Sequence, residues 1–125
     1  MSPLLLDTHV VLWWLEGTRL NEEVVGRIAD PAELVVVSAA SIWEASLEQT
    51  LGRLEVPEDL ATVVVEEGFE PLNISFDHAA KAGALPDHHR DPFDRMLIAQ
   101  AIEEGLTLVT HDPAFELYGI DLLRV

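Results

Sequence analysis

The chain has 125 residues, 49% of them hydrophobic, and sets seven basic side chains against 23 acidic ones for a formal charge of −16. That length suits one domain able to bury roughly two thirds of the surface its unfolded chain exposes; the apolar fraction argues against disorder, and the charge argues against generic nucleic-acid binding, which leaves a basic footprint. Without cysteine there are no disulfides, zinc knuckles or thiol nucleophiles, and without a membrane-length apolar stretch or a basic leader the expected location is the cytoplasm.

Residues 4–6, Leu-Leu-Leu, are the first apolar run short enough for a buried strand. The run ends in Asp7-Thr8-His9, and helical spacing then covers 8–15 and 22–29. Asp7 stands at a strand end and before a helix, a place open equally to a helix cap and to a ligand-facing carboxylate. Trp13 and Trp14 are adjacent on that helix and point about 100° apart, so one is expected to enter the core. For these and for Trp43, helix packing or a dimer contact is favoured over base stacking.

Residues 34–37 predict a second strand, and 39–51 a helix that carries Glu44. Ser41 and Glu44 have the spacing of a capping box. A helix capped at Ser38 would instead put Glu44 about two turns in, still near the sheet's carboxyl edge, and both readings stand. A helix over 58–67, a strand over 72–74 and a helix over 76–84 follow.

The segment His88-His89-Arg90-Asp91-Pro92-Phe93-Asp94 opens a helix over 92–104. Asp91 reads as its N-cap and Pro92 as its first residue. Asp94 shares a face with Ile98 and Ala101, and a carboxylate on an apolar face needs a partner, which favours a site role. The run 106–110 predicts a strand ending in Thr110-His111-Asp112, where Asp112-Pro113 also has the form of a cap. Residues 122–125 add an edge strand. His9 and His111 flank acids but are not needed as ligands of a hard cation.

Strands alternating with helices predict a parallel sheet with right-handed crossovers and helices on both faces. The fold class is therefore α/β, a three-layer α/β/α architecture in one domain over 1–125. Ligands of such open sheets bind beyond the carboxyl ends of the strands, where Asp7, Glu44 and Asp112 fall. Converging carboxylates cannot all stay ionised without counter-charge, and Mg2+ or Mn2+ is the cation that oxygen donors suit.

Four motifs in order, Leu-Leu-Leu-Asp7-Thr8-His9, Ser38-Ala-Ala-Ser41-Ile-Trp43-Glu44, Asp91-Pro-Phe-Asp94-Arg-Met-Leu-Ile-Ala-Gln-Ala and Leu-Val-Thr110-His-Asp112, carry a likeness along the whole chain. The sequence resembles the PIN-domain ribonucleases, specifically the VapC-type toxins of toxin–antitoxin pairs. The resemblance implies a PIN-like fold and a Mg2+-dependent endoribonuclease, with Mn2+ as the other candidate ion. It puts Asp7, Glu44, Asp94 and Asp112 on the acidic quartet, with Asp7 and Asp94 the foremost metal ligands and Thr8 and Thr110 hydrogen-bonding within the site. It further implies an RNA substrate, a homodimer and a cognate antitoxin protein that holds the enzyme inactive.

The chain departs from its relatives in one respect: where they often carry a basic residue after Glu44, it has Ala45-Ser46-Leu47-Glu48. RNA contact then falls to local cations among His88, His89, Arg90, Arg95 and Arg53, with Arg90 assigned to substrate and Arg95 open equally to substrate and to an ordinary ion pair with the surrounding acids. The rival readings are non-catalytic: a receiver-like signalling module or an antitoxin-binding subunit. A receiver needs paired acids after the first strand and a lysine after the last core strand, whereas Asp7 stands alone and the single lysine is Lys81.

Overall fold

In a computed structural model, which describes residues 2–125, five parallel strands form one sheet. They are β1 (Leu4–Leu6), β2 (Val35–Ser38), β3 (Glu70–Leu72), β4 (Thr107–Thr110) and β5 (Leu122–Arg124), in the spatial order β3-β2-β1-β4-β5. The helices are α1 (Thr8–Glu16), α2 (Glu22–Ala29), α3 (Ala39–Thr50), α4 (Leu60–Glu66), α5 (Phe76–Ala84) and α6 (Pro92–Glu104), and a 3-10 helix spans Pro113–Tyr118. None of the described helices is long and apolar enough to cross a membrane.

All three leucines of β1 are buried because helices cover both faces of the sheet. Alternation along the strand sends Leu4 and Leu6 to a cluster with Val10, Val24, Ile28 and Val64, from α1, α2 and α4. Leu5 joins the opposite cluster with Leu97, Ile98 and Phe115, from α6 and the 3-10 helix. The helix α3 serves both, with Ala45 in the first cluster and Ala40 in the second. At the end of α6, Gly105 takes a left-handed φ of 67° and returns its N–H to Ala101, which turns the chain straight into β4.

The predicted strand at 72–74 lies two residues earlier, at Glu70–Leu72. Its place is set by pairing with β2, where Val36, Val37 and Ser38 stand opposite Glu70, Pro71 and Leu72. Pro71 is tolerated because β3 is an edge strand that needs no donor on its open side. Ile74 is exposed and leads into Ser75, the N-cap of α5. Leu34, Leu106 and Val125 also fall outside the strands assigned to them, and α4 begins at Leu60 rather than residue 58.

The chain runs outward from β1 through β2 to β3, then crosses to β4 on the other side of β1. Strand order thus reverses between β1 and β4, and a crevice opens at their carboxyl ends. The receiver-type order 2-1-3-4-5 differs from this one, which removes the signalling-module reading at the level of topology.

Candidate active site

Asp7 follows β1 directly, and its N–H donates to the carbonyl of Val109 at 3.0 Å, which pins it beside the end of β4. It occupies the N-cap position of α1, yet its side chain caps nothing. Instead the buried carboxylate accepts a 2.7 Å hydrogen bond from the Thr110 hydroxyl. Of the two readings its position allowed, the capping one is the one the side chain does not adopt.

Glu44 reaches the same crevice from α3. The cap of that helix is Ser38, whose Oγ accepts from the Ala40 N–H at 3.0 Å, so the Ser41–Glu44 capping box does not form. Glu44 is buried six residues into α3 and accepts a 2.6 Å hydrogen bond from the Thr8 hydroxyl, which also lies 3.0 Å from that of Ser41. Asp94 arrives from the first turn of α6. There Asp91 is the cap, as expected, its Oδ1 accepting from the N–H groups of Phe93 (2.8 Å) and Asp94 (3.3 Å). Relieved of capping, the Asp94 side chain faces Asp7 and Glu44, and one oxygen from each of the three lies within 4.8 Å of the others.

The electrostatics follow from that crowding. Burial first, then the neighbouring Asp7, Asp91, Glu44 and Asp112, pushes the Asp94 carboxyl up to about 8. Burial likewise raises Asp7 and Glu44, opposed by the hydrogen bonds from Thr110 and Thr8 respectively. Such a cluster takes up either protons or a cation. Three carboxylate oxygens at this spacing fit a hard divalent ion such as Mg2+ or Mn2+, with room for water on its remaining positions.

Asp112 stands at one remove from this triad. Its Oδ1 caps the 3-10 helix at the Ala114 N–H (2.9 Å), and its own N–H donates to Thr110 Oγ1 at 3.1 Å. Its Oδ2 lies 3.2 Å from His89 Nε2, which is also 2.9 Å from Asp94 Oδ2. His89, expected among the RNA-facing cations, instead sits between these two carboxylates. The available signal was its place two residues before the cap Asp91, whose N–H donates to His89 Nδ1 at 3.3 Å.

Arg95, open to substrate contact or an ordinary ion pair, forms no ion pair among the described residues. Its guanidinium donates to the carbonyls of Ala82, Leu85, Pro86 and His89 at 2.8–3.1 Å, because the last turn of α5 and the connection to α6 turn their carbonyls toward the first turn of α6. Arg90 is exposed, 3.9 Å from Asp87, and Arg53 pairs with Glu48 at 3.6 Å. Neither Trp13 nor Trp14 enters the core fully. Trp13 packs against His9 and His111 with Arg19 over its ring, and Trp14 packs against Phe69. Trp43 is 62% exposed and meets Phe93 edge to face.

The Thr110 bond gives a direct expectation. Thr110→Val removes the donor to the buried Asp7 carboxyl, so stability should fall by about 1–3 kcal/mol. Because the bond favours the charged form, the loss should be greatest at alkaline pH and shrink as Asp7 takes up a proton. Urea unfolding at pH 5 and pH 8 reads the difference; equal losses at both would contradict it.

The PIN domain family model matches residues 4–120. Ribonuclease VapC22 of Mycobacterium tuberculosis is 33% identical over 115 residues, covering 90% of this chain and 88% of that protein. Among solved structures, DNA-bound VapBC from Salmonella typhimurium superposes with a TM-score of 0.72 at 21% identity, covering 99% of this chain and 98% of that one. VapBC2 from Rickettsia felis, bound to a promoter DNA fragment, gives a TM-score of 0.73 at 15% identity and 97% coverage of both chains. At such identities the structural likeness is one of fold.

Proposed function

The chain belongs to the PIN-domain family, and from that premise we propose that it is a divalent-cation-dependent endoribonuclease acting in the cytoplasm as the toxin of a toxin–antitoxin pair. The observation that carries the reading is the meeting of Asp7, Glu44 and Asp94, from three separate segments, at the carboxyl edge of the sheet. Asp7, Glu44 and Asp94 would hold the cation, Mg2+ or Mn2+, with Asp112 beside them. Bound there, the cation supplies Lewis acidity toward a phosphodiester and lowers the pKa of water.

The protein's own contribution is placement. Thr110 and Thr8 each hold one carboxylate through its hydrogen bond. The first turn of α6 brings Asp94 to them, and the two hydrophobic clusters lie on either face of the sheet that carries the site. In-line hydrolysis needs the scissile phosphate seated over these carboxylates, and their charge excludes an anion until a cation is present. The wider field of the chain repels RNA at long range, so phosphate contact falls to local cations, of which exposed Arg90 is the one we assign to substrate.

The ribonuclease name of the 33% identical relative and the VapBC complexes among the structural neighbours support the toxin assignment. They also support a cognate antitoxin as the protein partner. A homodimer is the third part of the proposal, supported by an apolar groove of about 390 Å3 that runs along α3 and α4 past the exposed Trp43.

The test is incubation of a mixed RNA pool with Mg2+, with Mn2+ and with chelator, comparing the natural protein with Asp7→Asn. Cleavage is expected with either ion, none with chelator, and none by the variant although it folds. Cleavage in chelator, or full activity of Asp7→Asn, would refute the reading. Sedimentation of the same preparation is expected to give a dimer, and a monomer would remove that part of the proposal.

A further inference from the structure

His89 has features beyond those of a surface histidine beside two acids. Its Nδ1 accepts the N–H of Asp91 at 3.3 Å, and a ring nitrogen that accepts carries no proton. The ring proton is therefore on Nε2, the atom 2.9 Å from Asp94 Oδ2 and 3.2 Å from Asp112 Oδ2. One N–H is thus shared between the two carboxylates.

The ring is fixed from several sides. The His89 backbone N–H donates to Tyr118 Oη at 2.8 Å, and its carbonyl accepts from Arg95 at 3.1 Å. Tyr118 is anchored in turn to the Pro86 carbonyl at 2.8 Å, and the imidazole packs on buried Phe115 with ring centroids 5.6 Å apart. The other tautomer would turn a proton on Nδ1 against the Asp91 N–H. Turning the ring away would forfeit both carboxylate contacts and the Asp91 bond.

Asp94 is the member shared by two clusters. With Asp7 and Glu44 it forms an all-oxygen triad; with His89 and Asp112 it forms a second group whose ligand atoms also lie within 4.8 Å of one another. A divalent ion in the second group would need oxygens at about 2.0–2.2 Å and an imidazole lone pair aimed at it. The position between those oxygens is where the Nε2–H points.

We propose that His89 is a positioning residue whose single N–H ties Asp94 to Asp112 and so limits the acidic edge to one divalent cation, held by Asp7, Glu44 and Asp94. Asp112 then acts as an anchor for His89 and for the start of the 3-10 helix rather than as a ligand. The inference rests on the metal-dependent reading of the site.

Titration of the protein with Mn2+, followed by loss of the free-ion electron paramagnetic resonance signal, counts bound ions without reference to activity. One ion is expected for the natural protein and for His89→Gln, whose amide keeps an N–H donor. Two are expected for His89→Ala, which leaves Asp94 and Asp112 unbridged. Pulsed measurements on the natural protein with one Mn2+ bound are expected to show no directly bonded nitrogen. Two ions in the natural protein, one in folded His89→Ala, or a bonded nitrogen would each overturn the inference while leaving the metal reading intact. No bound ion in the natural protein would overturn both, and the count and the nitrogen measurement stand whether or not His89→Ala folds.

Discussion

Asp94→Asn is expected to lower RNA cleavage by on the order of 10³-fold or more and, at the same time, to raise the stability of the cation-free protein. The first effect follows because Asn offers the cation a neutral oxygen where the triad offers a charge. The second follows from the position of the Asp94 carboxyl, pushed up to about 8 from an ordinary 3.8 by burial and by Asp7, Asp91, Glu44 and Asp112. At pH 7 the folded protein holds a proton there that the unfolded chain has released. One pKa unit corresponds to about 1.36 kcal/mol, so that proton costs on the order of 4 kcal/mol of stability at neutral pH. An amide needs no proton. Chemical denaturation at pH 7 without divalent ions should show the variant more stable, and an unchanged or lower midpoint would contradict the electrostatic account of the site.

The second large effect is a pH dependence whose slope a cation changes. For a carboxyl whose folded pKa is raised, stability is fully present below the unfolded value and is lost as pH rises through the folded one. For Asp94 that window runs from 3.8 to about 8, and Asp7 and Glu44 are shifted in the same direction. Without divalent ions, stability should therefore fall steadily across this window. A cation binds the ionised carboxylates, so binding should release protons and strengthen as pH rises. At 100 times its Kd a cation adds about 2.7 kcal/mol. Melting temperatures measured from pH 5 to pH 8.5, with and without Mg2+ or Mn2+, should diverge toward high pH. Parallel curves would mean that the acids do not share an ion.

Both effects arise at residues whose role depended on context that local sequence patterns do not hold. Asp7 and Asp112 each sit where a helix cap belongs. In the fold Asp112 is a cap and Asp7 is not, because the Thr110 hydroxyl, 103 positions away in the chain, takes up the Asp7 carboxylate. Glu44 had a capping-box partner at the right spacing, but the helix is capped three residues earlier, at Ser38. Arg95 and His89 show the same thing from the basic side. Both belonged to a cluster that reads as RNA-facing, and both turn inward, one onto four carbonyls and the other between two carboxylates.

The alternation of short apolar runs with helical periods was enough to predict a parallel, doubly covered sheet, because burial on both faces leaves strands of continuous leucine and valine. Cap chemistry located the start of α6, with Asp91 as its cap, for equally local reasons, whereas at α3 it left Ser38 and Ser41 both open. The acidic motifs at strand ends and in the first turn of α6 identified the candidate carboxylates, since a charge on an apolar face needs a partner wherever the fold puts it. What only the tertiary structure decided was which charges meet. Strand order brings β1 and β4 side by side and sets β3 at the open edge, two residues from its expected place. That order divides the acids into a triad and a histidine-bridged pair sharing Asp94. Hydrogen bonds act over about 3 Å and are blind to separation along the chain, so partners such as Thr110 and His89 become readable only when folding has brought the segments together.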